Sequence, residues 1–395
     1  MLLHLAAANQ SLLSSLAALP SARLGSLAWN PRLALNAADL HPSLAGVAPE
    51  ALFGAVARAA HSRLHAMLDG IARYRTFPYR RDLADPPVIW SQGSARLLDY
   101  GSADADAPIA LFVPSLVNRA YVLDLSARRS LLRWLASQGV RPLLLDWGAP
   151  GASERGFGIS DYIEGPLADA LRVANSVARG PVHVAGYCMG GTLALALAQR
   201  RRPQIRSLAL LAAPWDFHAA GGQGLIFAAL RYSIRHVLRE LGEMPVEMLQ
   251  ALFLMLDPNL SQRKFASFAR MDGTSDAAED FVALEDWVND GVPLTGPTAA
   301  ECLIDWYGDN ATMRGAWRVG GEAIRPELLS LPSLIVVPHN DRIVPPASAS
   351  ALAVRLPGAL AIEPPAGHIG MVVGSKAEAG LWRPLRDWLL RGSQT

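Results

Sequence analysis

Apolar residues recur at helical spacing through residues 51–73, ALFGAVARAAHSRLHAMLDGIAR, at Val56, Ala60, Leu64 and Leu68, with basic and polar groups between them. This pattern predicts a packed amphipathic helix. The charged interval RYRTFPYRRDLADPP separates it from a different pattern, in which VIWSQGSARLLDY and APIALFVPSLV read as a strand pair feeding an interior strand. From there the periods alternate. A helical period runs from Leu125 to Gln138, RPLLLDW is a short buried strand, and DYIEGPLADALRVANSV is a helix. VHVAGY, GTLALALAQR and IRSLALLAAP follow as strand, helix and strand. Such alternation needs crossover connections and predicts a largely parallel sheet covered by helices.

The rhythm breaks after Asp216. Residues 217–325 carry longer stretches, LIFAALRYSIRHVLREL and PVEMLQALFLMLD among them, joined by Gly, Pro, Asp and Asn, and predict a mostly helical insertion above the sheet. PSLIVVPH and GALAIEPP resume the core, and LWRPLRDWLLRG supplies a final helix. The expected division is therefore an N-terminal helical extension over 1–80, a first core part over 81–216, a helical cap over 217–325 and a second core part over 326–395. The opening MLLHLAAANQSLLSSLAALPSARLG is apolar and ends in small residues, but it lacks a basic start and is interrupted by Asn9, Gln10 and serines. It reads as a helical extension rather than a secretion signal. No uninterrupted apolar run approaches the ~20 residues of a membrane-spanning helix, so a soluble, cytoplasmic protein is expected.

Composition narrows the function classes. The 36 basic and 35 acidic residues of this 395-residue chain leave a formal charge of +1, which gives no general electrostatic case for nucleic acid as a partner. Cys188 and Cys302 are the two cysteines, too few for a disulfide scaffold and compatible with a reducing compartment.

Gly186-Tyr187-Cys188-Met189-Gly190 fits a G-x-nucleophile-x-G turn with cysteine as the nucleophile, preceded by a predicted strand and followed by an apolar helix. A glycine-flanked cysteine is also compatible with a small buried hydrophobe; the strand, the turn and Gly191 favour catalysis. A thiolate needs a base, and the base needs a partner that orients it. Asp341, in VVPHNDRIVP, and His368, in PPAGHIG, each follow a predicted strand. Alone, Asp341 reads equally as a helix cap and His368 as a loop hydrogen-bonder. Their order, nucleophile then acid then histidine, is that of an α/β-hydrolase fold, here with a mostly helical cap. His368 is thus the expected base and Asp341 its orienter, with His339 only a neighbour. The first expected oxyanion donor is the amide of Met189; the second comes from LFVPSLV, where Pro114 has no N–H and Ser115 or Leu116 remains.

Taken together, FVPSLVNRAYVLDL, LLLDWGAP, GYCMGG, NDRIVPP and GHIG resemble the catalytic subunits of polyhydroxyalkanoate synthases, especially the shorter class that works with a second subunit. The resemblance covers roughly residues 85–393 and matches Cys188 to the covalent nucleophile, Asp341 to the catalytic acid and His368 to the catalytic histidine. It implies transfer of a 3-hydroxyacyl group from coenzyme A to the cysteine, followed by chain growth through a hydroxyl. No metal or other cofactor is implied; the coenzyme A thioester is the substrate. A second synthase subunit and the polyester granule are the implied partners, and self-association is left open. Two departures stand out: Arg342 follows the aspartate where the pattern has histidine, and the first 80 residues resemble the short members poorly. Arg342 reads as a surface charge or as a contact for coenzyme A phosphates. Trp287, Trp306 and Tyr307 of the insertion read as core residues or as the lining of an acyl channel. A cysteine-dependent thioesterase or esterase and a non-catalytic acyl-binding or granule-associated module are the alternative functions.

Overall fold

The computed structural model describes residues 2–29, 34–102, 104, 106–219, 221 and 223–391. By its internal contacts the chain forms two compact units, one of residues 1–79 with 250–282, the other of residues 80–249 with 283–395.

The first unit is helical. Its long helix, Pro49–Thr76, places proline in the first turn together with Glu50 and ends with Arg73 and Arg75, the charge order that complements a helix dipole. It contains the amphipathic stretch expected over 51–73. Met67 and Ile71 bury against Phe265 of the helix Leu260–Phe268. Gly70 permits that approach, since a Cβ there would lie 1.9 Å from the Phe265 carbonyl oxygen. Phe268, Ala278 and Val282 form a second cluster with Phe77 and Tyr79. The interval 217–325, expected as one insertion, is therefore shared between the units. The aromatic face of 265–281 satisfies its hydrophobic surface against the N-terminal helices.

The second unit is built on an eight-stranded sheet: β1 (Val88–Gln92), β2 (Ala95–Asp99), β3 (Ile109–Val113), β4 (Arg141–Asp146), β5 (Val182–Tyr187), β6 (Ile205–Leu211), β7 (Ser333–Val336) and β8 (Leu360–Ile362). The order is β1-β2-β4-β3-β5-β6-β7-β8. The hairpin β1/β2 joins β4 antiparallel; every other pair is parallel. Strands β3, β5 and β6 are apolar along nearly their whole length because helices cover both faces.

Two helical periods differ in detail from the sequence expectation. The one anticipated from Leu125 begins only at Leu131, capped by the Ser130 hydroxyl, which accepts the Arg133 N–H at 3.0 Å. Residues 124 and 130 pair instead as an antiparallel bridge. The buried Asp124 carboxylate holds that turn, accepting from Arg133 Nε at 2.8 Å, Arg81 Nη2 at 3.1 Å and the Tyr100 hydroxyl at 3.1 Å. The second, through 159–178, is interrupted at Gly165 before Pro166.

His183 on β5 is buried beside Ser207, Nδ1 to Oγ 2.6 Å, and packs edge-on against Trp388. Burial, with the charge of Arg206, pushes its pKa down to about 4. Since the folded pKa lies below the ordinary 6.5, the unfolded chain binds more protons between these values. The neutral ring's contribution is complete above pH ~6.5 and lost on acidification toward ~4, up to about 3 kcal/mol. Urea unfolding at stepped pH should show that slope, and His183→Gln should remove it. A variant with an unaltered slope would assign the acid sensitivity to other groups.

The parallel strands end in loops on one edge. The segments after β3, β5, β7 and β8 carry Ser115, Cys188, Asp341 and His368, respectively.

Candidate active site

Cys188 occupies the bend between β5 and the helix Met189–Arg200 at φ 56° and ψ −130°. A non-glycine residue seldom adopts this conformation, and the surroundings must hold it. Its N–H donates to the Leu211 carbonyl at 2.9 Å, and its carbonyl accepts the Gly191 N–H at 2.9 Å. Three glycines make the bend sterically feasible. A Cβ on Gly186 would lie 2.4 Å from Gly191 Cα, one on Gly190 would lie 2.1 Å from the Val113 carbonyl oxygen, and one on Gly191 would lie 2.5 Å from Ala213 Cβ. The Gly190 contact brings the start of the helix against the end of β3. Met189, the first helical residue, is thereby set beside the segment containing Ser115 and Leu116, both buried.

His368 completes the thiol's environment. Its Nδ1 lies 2.6 Å from Asp341 Oδ2, and its ring is hydrogen-bonded to the Cys188 side chain. Asp341 is held in turn: its Oδ1 accepts the N–H groups of Ile343 at 2.8 Å and Val344 at 2.9 Å. Burial opposes charge on His368, but the negative charge of Cys188 and the bonds to Asp341 and Cys188 prevail and raise its pKa to about 10. The imidazole is thus poised to carry the thiol's proton. Cys302 is different. Burial first, then the neighbouring Glu301 and Asp305, push its thiol far up, and it sits in a packed π-helical segment, Glu301–Gly308.

The tyrosine preceding the nucleophile has a role that sequence reading did not assign. The ring of Tyr187 stacks on His368 with centroids 5.1 Å apart, and its hydroxyl donates to the His368 carbonyl at 3.3 Å. It fixes both ring plane and loop. Its one signal in the sequence is its place between Gly186 and Cys188 in the turn.

The remaining candidates separate. Tyr307 stands near the nucleophile: burial raises its phenol pKa, and the charge of Cys188 adds to the shift. Its ring packs on Phe217 and Phe227. Trp306 is buried behind it between Phe217 and Trp317. Trp287 is buried and donates its indole N–H to the Arg119 carbonyl at 2.8 Å, beyond the β3 end. Arg342 and His339 are exposed beside Asp341. Among the described residues no group of three or more His, Cys, Asp or Glu side chains could hold a metal ion, and no helix is long and apolar enough to cross a membrane.

Comparison with known proteins identifies the fold and the family. The sequence model of the α/β-hydrolase fold family matches residues 111–375. The poly(3-hydroxyalkanoate) polymerase subunit PhaC of a Synechocystis species is 30% identical, over 71% of this chain and 76% of that protein. The chain belongs to the PhaC family of α/β-hydrolase-fold proteins. The PhaC subunit of Haloferax mediterranei is also 30% identical over 78% of this chain, which spans 64% of that longer relative. A putative non-heme bromoperoxidase, BpoC, from Mycobacterium tuberculosis shares the fold alone, with a TM-score of 0.50 and 16% identity over 79% of this chain and 99% of its own. Within the PhaC family framework, the cysteine at the strand-to-helix bend and the Asp–His pair at two later strand ends form one connected constellation.

Proposed function

We propose that this chain is the catalytic subunit of a polyhydroxyalkanoate synthase, which forms polyester from 3-hydroxyacyl-CoA through a covalent cysteine thioester. The observation that carries the reading is the hydrogen-bonded series Cys188, His368 and Asp341 in a PhaC-family chain. In the first step Cys188 Sγ attacks the thioester carbonyl while His368 holds the thiol's proton. The oxyanion forms against the Met189 amide and that of Ser115 or Leu116. As the tetrahedral state collapses, the carbon–sulfur bond to coenzyme A breaks and its thiolate takes the proton from His368. The acyl-cysteine remains an activated ester. A hydroxyl group of a second acyl unit then attacks it, His368 takes the hydroxyl proton, and the Cys188 sulfur leaves as the new ester bond forms. Tyr307 and the apolar residues around it would face the acyl group and limit water.

A second synthase subunit and the polyester granule are the partners this function calls for, and the cytoplasm its place. The test supplies (R)-3-hydroxybutyryl-CoA and longer analogues to the chain, with and without its native neighbouring proteins, and follows coenzyme A, free hydroxyacid and insoluble polyester together. Coenzyme A release with chain-extended ester is the expected result. Stoichiometric free acid with no oligomer under every partnered condition would replace the synthase with a cysteine-dependent thioesterase. Acyl binding without turnover would leave a non-catalytic module.

A further inference from the structure

The segment that would supply the second oxyanion donor is fastened at both ends by tryptophan N–H groups. Trp147, just after β4, donates from Nε1 to the Pro114 carbonyl at 3.0 Å, and Trp287, from the helix Asp276–Asn289, donates to the Arg119 carbonyl at 2.8 Å. Between these points the Ser115 hydroxyl accepts the Val117 N–H at 3.0 Å, and Asn118 takes a left-handed conformation at φ 66°. The 115–119 stretch is a sharp turn with no strand partner of its own, so its amide directions depend on its tethers. Asp290 adds another tether, lying 3.4 Å from Arg119 Nε and hydrogen-bonded to the Tyr121 hydroxyl. Trp287 is buried and its one polar atom is committed to this backbone carbonyl, an arrangement that suits an anchor better than a substrate-facing wall.

We propose that Trp287 is a positioning residue for acyl transfer, fixing the turn after β3 so that the amide of Ser115 or Leu116 points at the developing oxyanion. The proposal rests on the reading of Cys188 as an acyl-accepting nucleophile. An oxyanion donor is effective only near 2.7–3.1 Å from the oxygen, and loss of one costs about 100- to 1,000-fold in rate. Loosening its support should therefore slow the steps that build an oxyanion and spare those that do not.

Two reactions of the same sulfur separate these effects. Acylation by p-nitrophenyl butyrate passes through a tetrahedral oxyanion; alkylation by iodoacetamide is a direct displacement at carbon and forms none. Trp287→Phe keeps an aromatic ring and removes the N–H. In the full chain it should slow the acylation burst at Cys188 by ~10- to ~100-fold, with the alkylation rate and the substrate concentration at half-saturation nearly unchanged. Asp290→Asn, at an exposed position, should show the same selectivity at a few-fold level and serves as the second variant if Trp287→Phe does not fold. Equal acylation of wild type and both variants, or parallel slowing of acylation and alkylation, overturns the positioning role. A wild-type chain that is alkylated at Cys188 but acylated there by neither p-nitrophenyl butyrate nor (R)-3-hydroxybutyryl-CoA overturns both this role and the proposed function.

Discussion

Cys188→Ala should lower coenzyme A release from 3-hydroxyacyl-CoA by at least about 1,000-fold and abolish the covalent acyl-enzyme, because it removes the atom that accepts the acyl group. Intact-mass and peptide analysis after brief incubation should place the acyl mass on the peptide containing Cys188 in wild type and on none in the variant. Cys302 provides an internal control. It is buried, and its thiol is held protonated by burial and by the nearby carboxylates of Glu301 and Asp305, so it lacks the thiolate that acyl transfer needs. The fold should survive the substitution: the Cys188 backbone bonds, to the Leu211 carbonyl and from the Gly191 N–H, do not involve the side chain. An alanine at φ 56° meets the same backbone strain that the cysteine already bears. Undiminished turnover in Cys188→Ala, or acyl mass confined to Cys302, would sink the assignment of Cys188 as nucleophile. Cys188→Ser tests the sulfur itself. An alkoxide is a poorer leaving group than a thiolate, so the acyl-serine should be slow both to transfer its acyl group to a hydroxyl acceptor and to hydrolyse.

Much of the site was legible because its decisive features are local. The bend at Cys188 is written in six consecutive residues: the small side chains of Gly186, Gly190 and Gly191 are required by contacts that a strand-to-helix turn makes with itself and with the adjacent strands. Asp341 and His368 each follow an apolar run short enough to read as a strand, so their placement at one sheet edge follows from parallel topology. What could not be read depends on partners distant in the chain. The helix expected from Leu125 starts at Leu131 because Arg81, some forty residues earlier, helps hold the Asp124 carboxylate in a turn. The fate of an aromatic residue is likewise undetermined by its own segment. Trp287, Trp306 and Tyr307 offered the same two readings in sequence, yet in the structure Trp287 bonds the backbone at Arg119, Trp306 packs between rings, and Tyr307 comes under the charge of Cys188. The helix Leu260–Phe268 shows a helical period, and period alone does not say which surface covers its apolar face; Phe265 finds Gly70 of the long N-terminal helix.

Asp341→Asn should reduce the rate of acyl transfer by about 1,000- to 10,000-fold, the scale on which a misoriented histidine fails in related nucleophile–histidine–acid systems, and should move its alkaline limit downward. Asp341 Oδ1 accepts two backbone N–H groups, from Ile343 and Val344, so an asparagine will keep its carbonyl oxygen there and turn its amide NH2 toward His368 Nδ1. Nδ1 must then accept rather than donate, which places the ring proton on Nε2 and removes the lone pair needed to take a proton from the thiol or an incoming hydroxyl. Loss of the carboxylate also removes one of the interactions that hold the His368 pKa at about 10, leaving burial, which lowers it, less opposed. The wild-type imidazolium should therefore persist to about pH 10, whereas in the variant it should deprotonate at a lower pH. The sign for stability is the same. A histidine whose folded pKa exceeds its ordinary 6.5 contributes stability in full below that value and loses it as pH rises through about 10. Wild type should thus lose urea resistance between these limits more steeply than Asp341→Asn. Single-turnover acylation and urea midpoints at stepped pH measure both effects. A variant with the wild-type rate and the wild-type alkaline limit would show that Asp341 neither orients nor charges His368, and the base would have to be sought elsewhere.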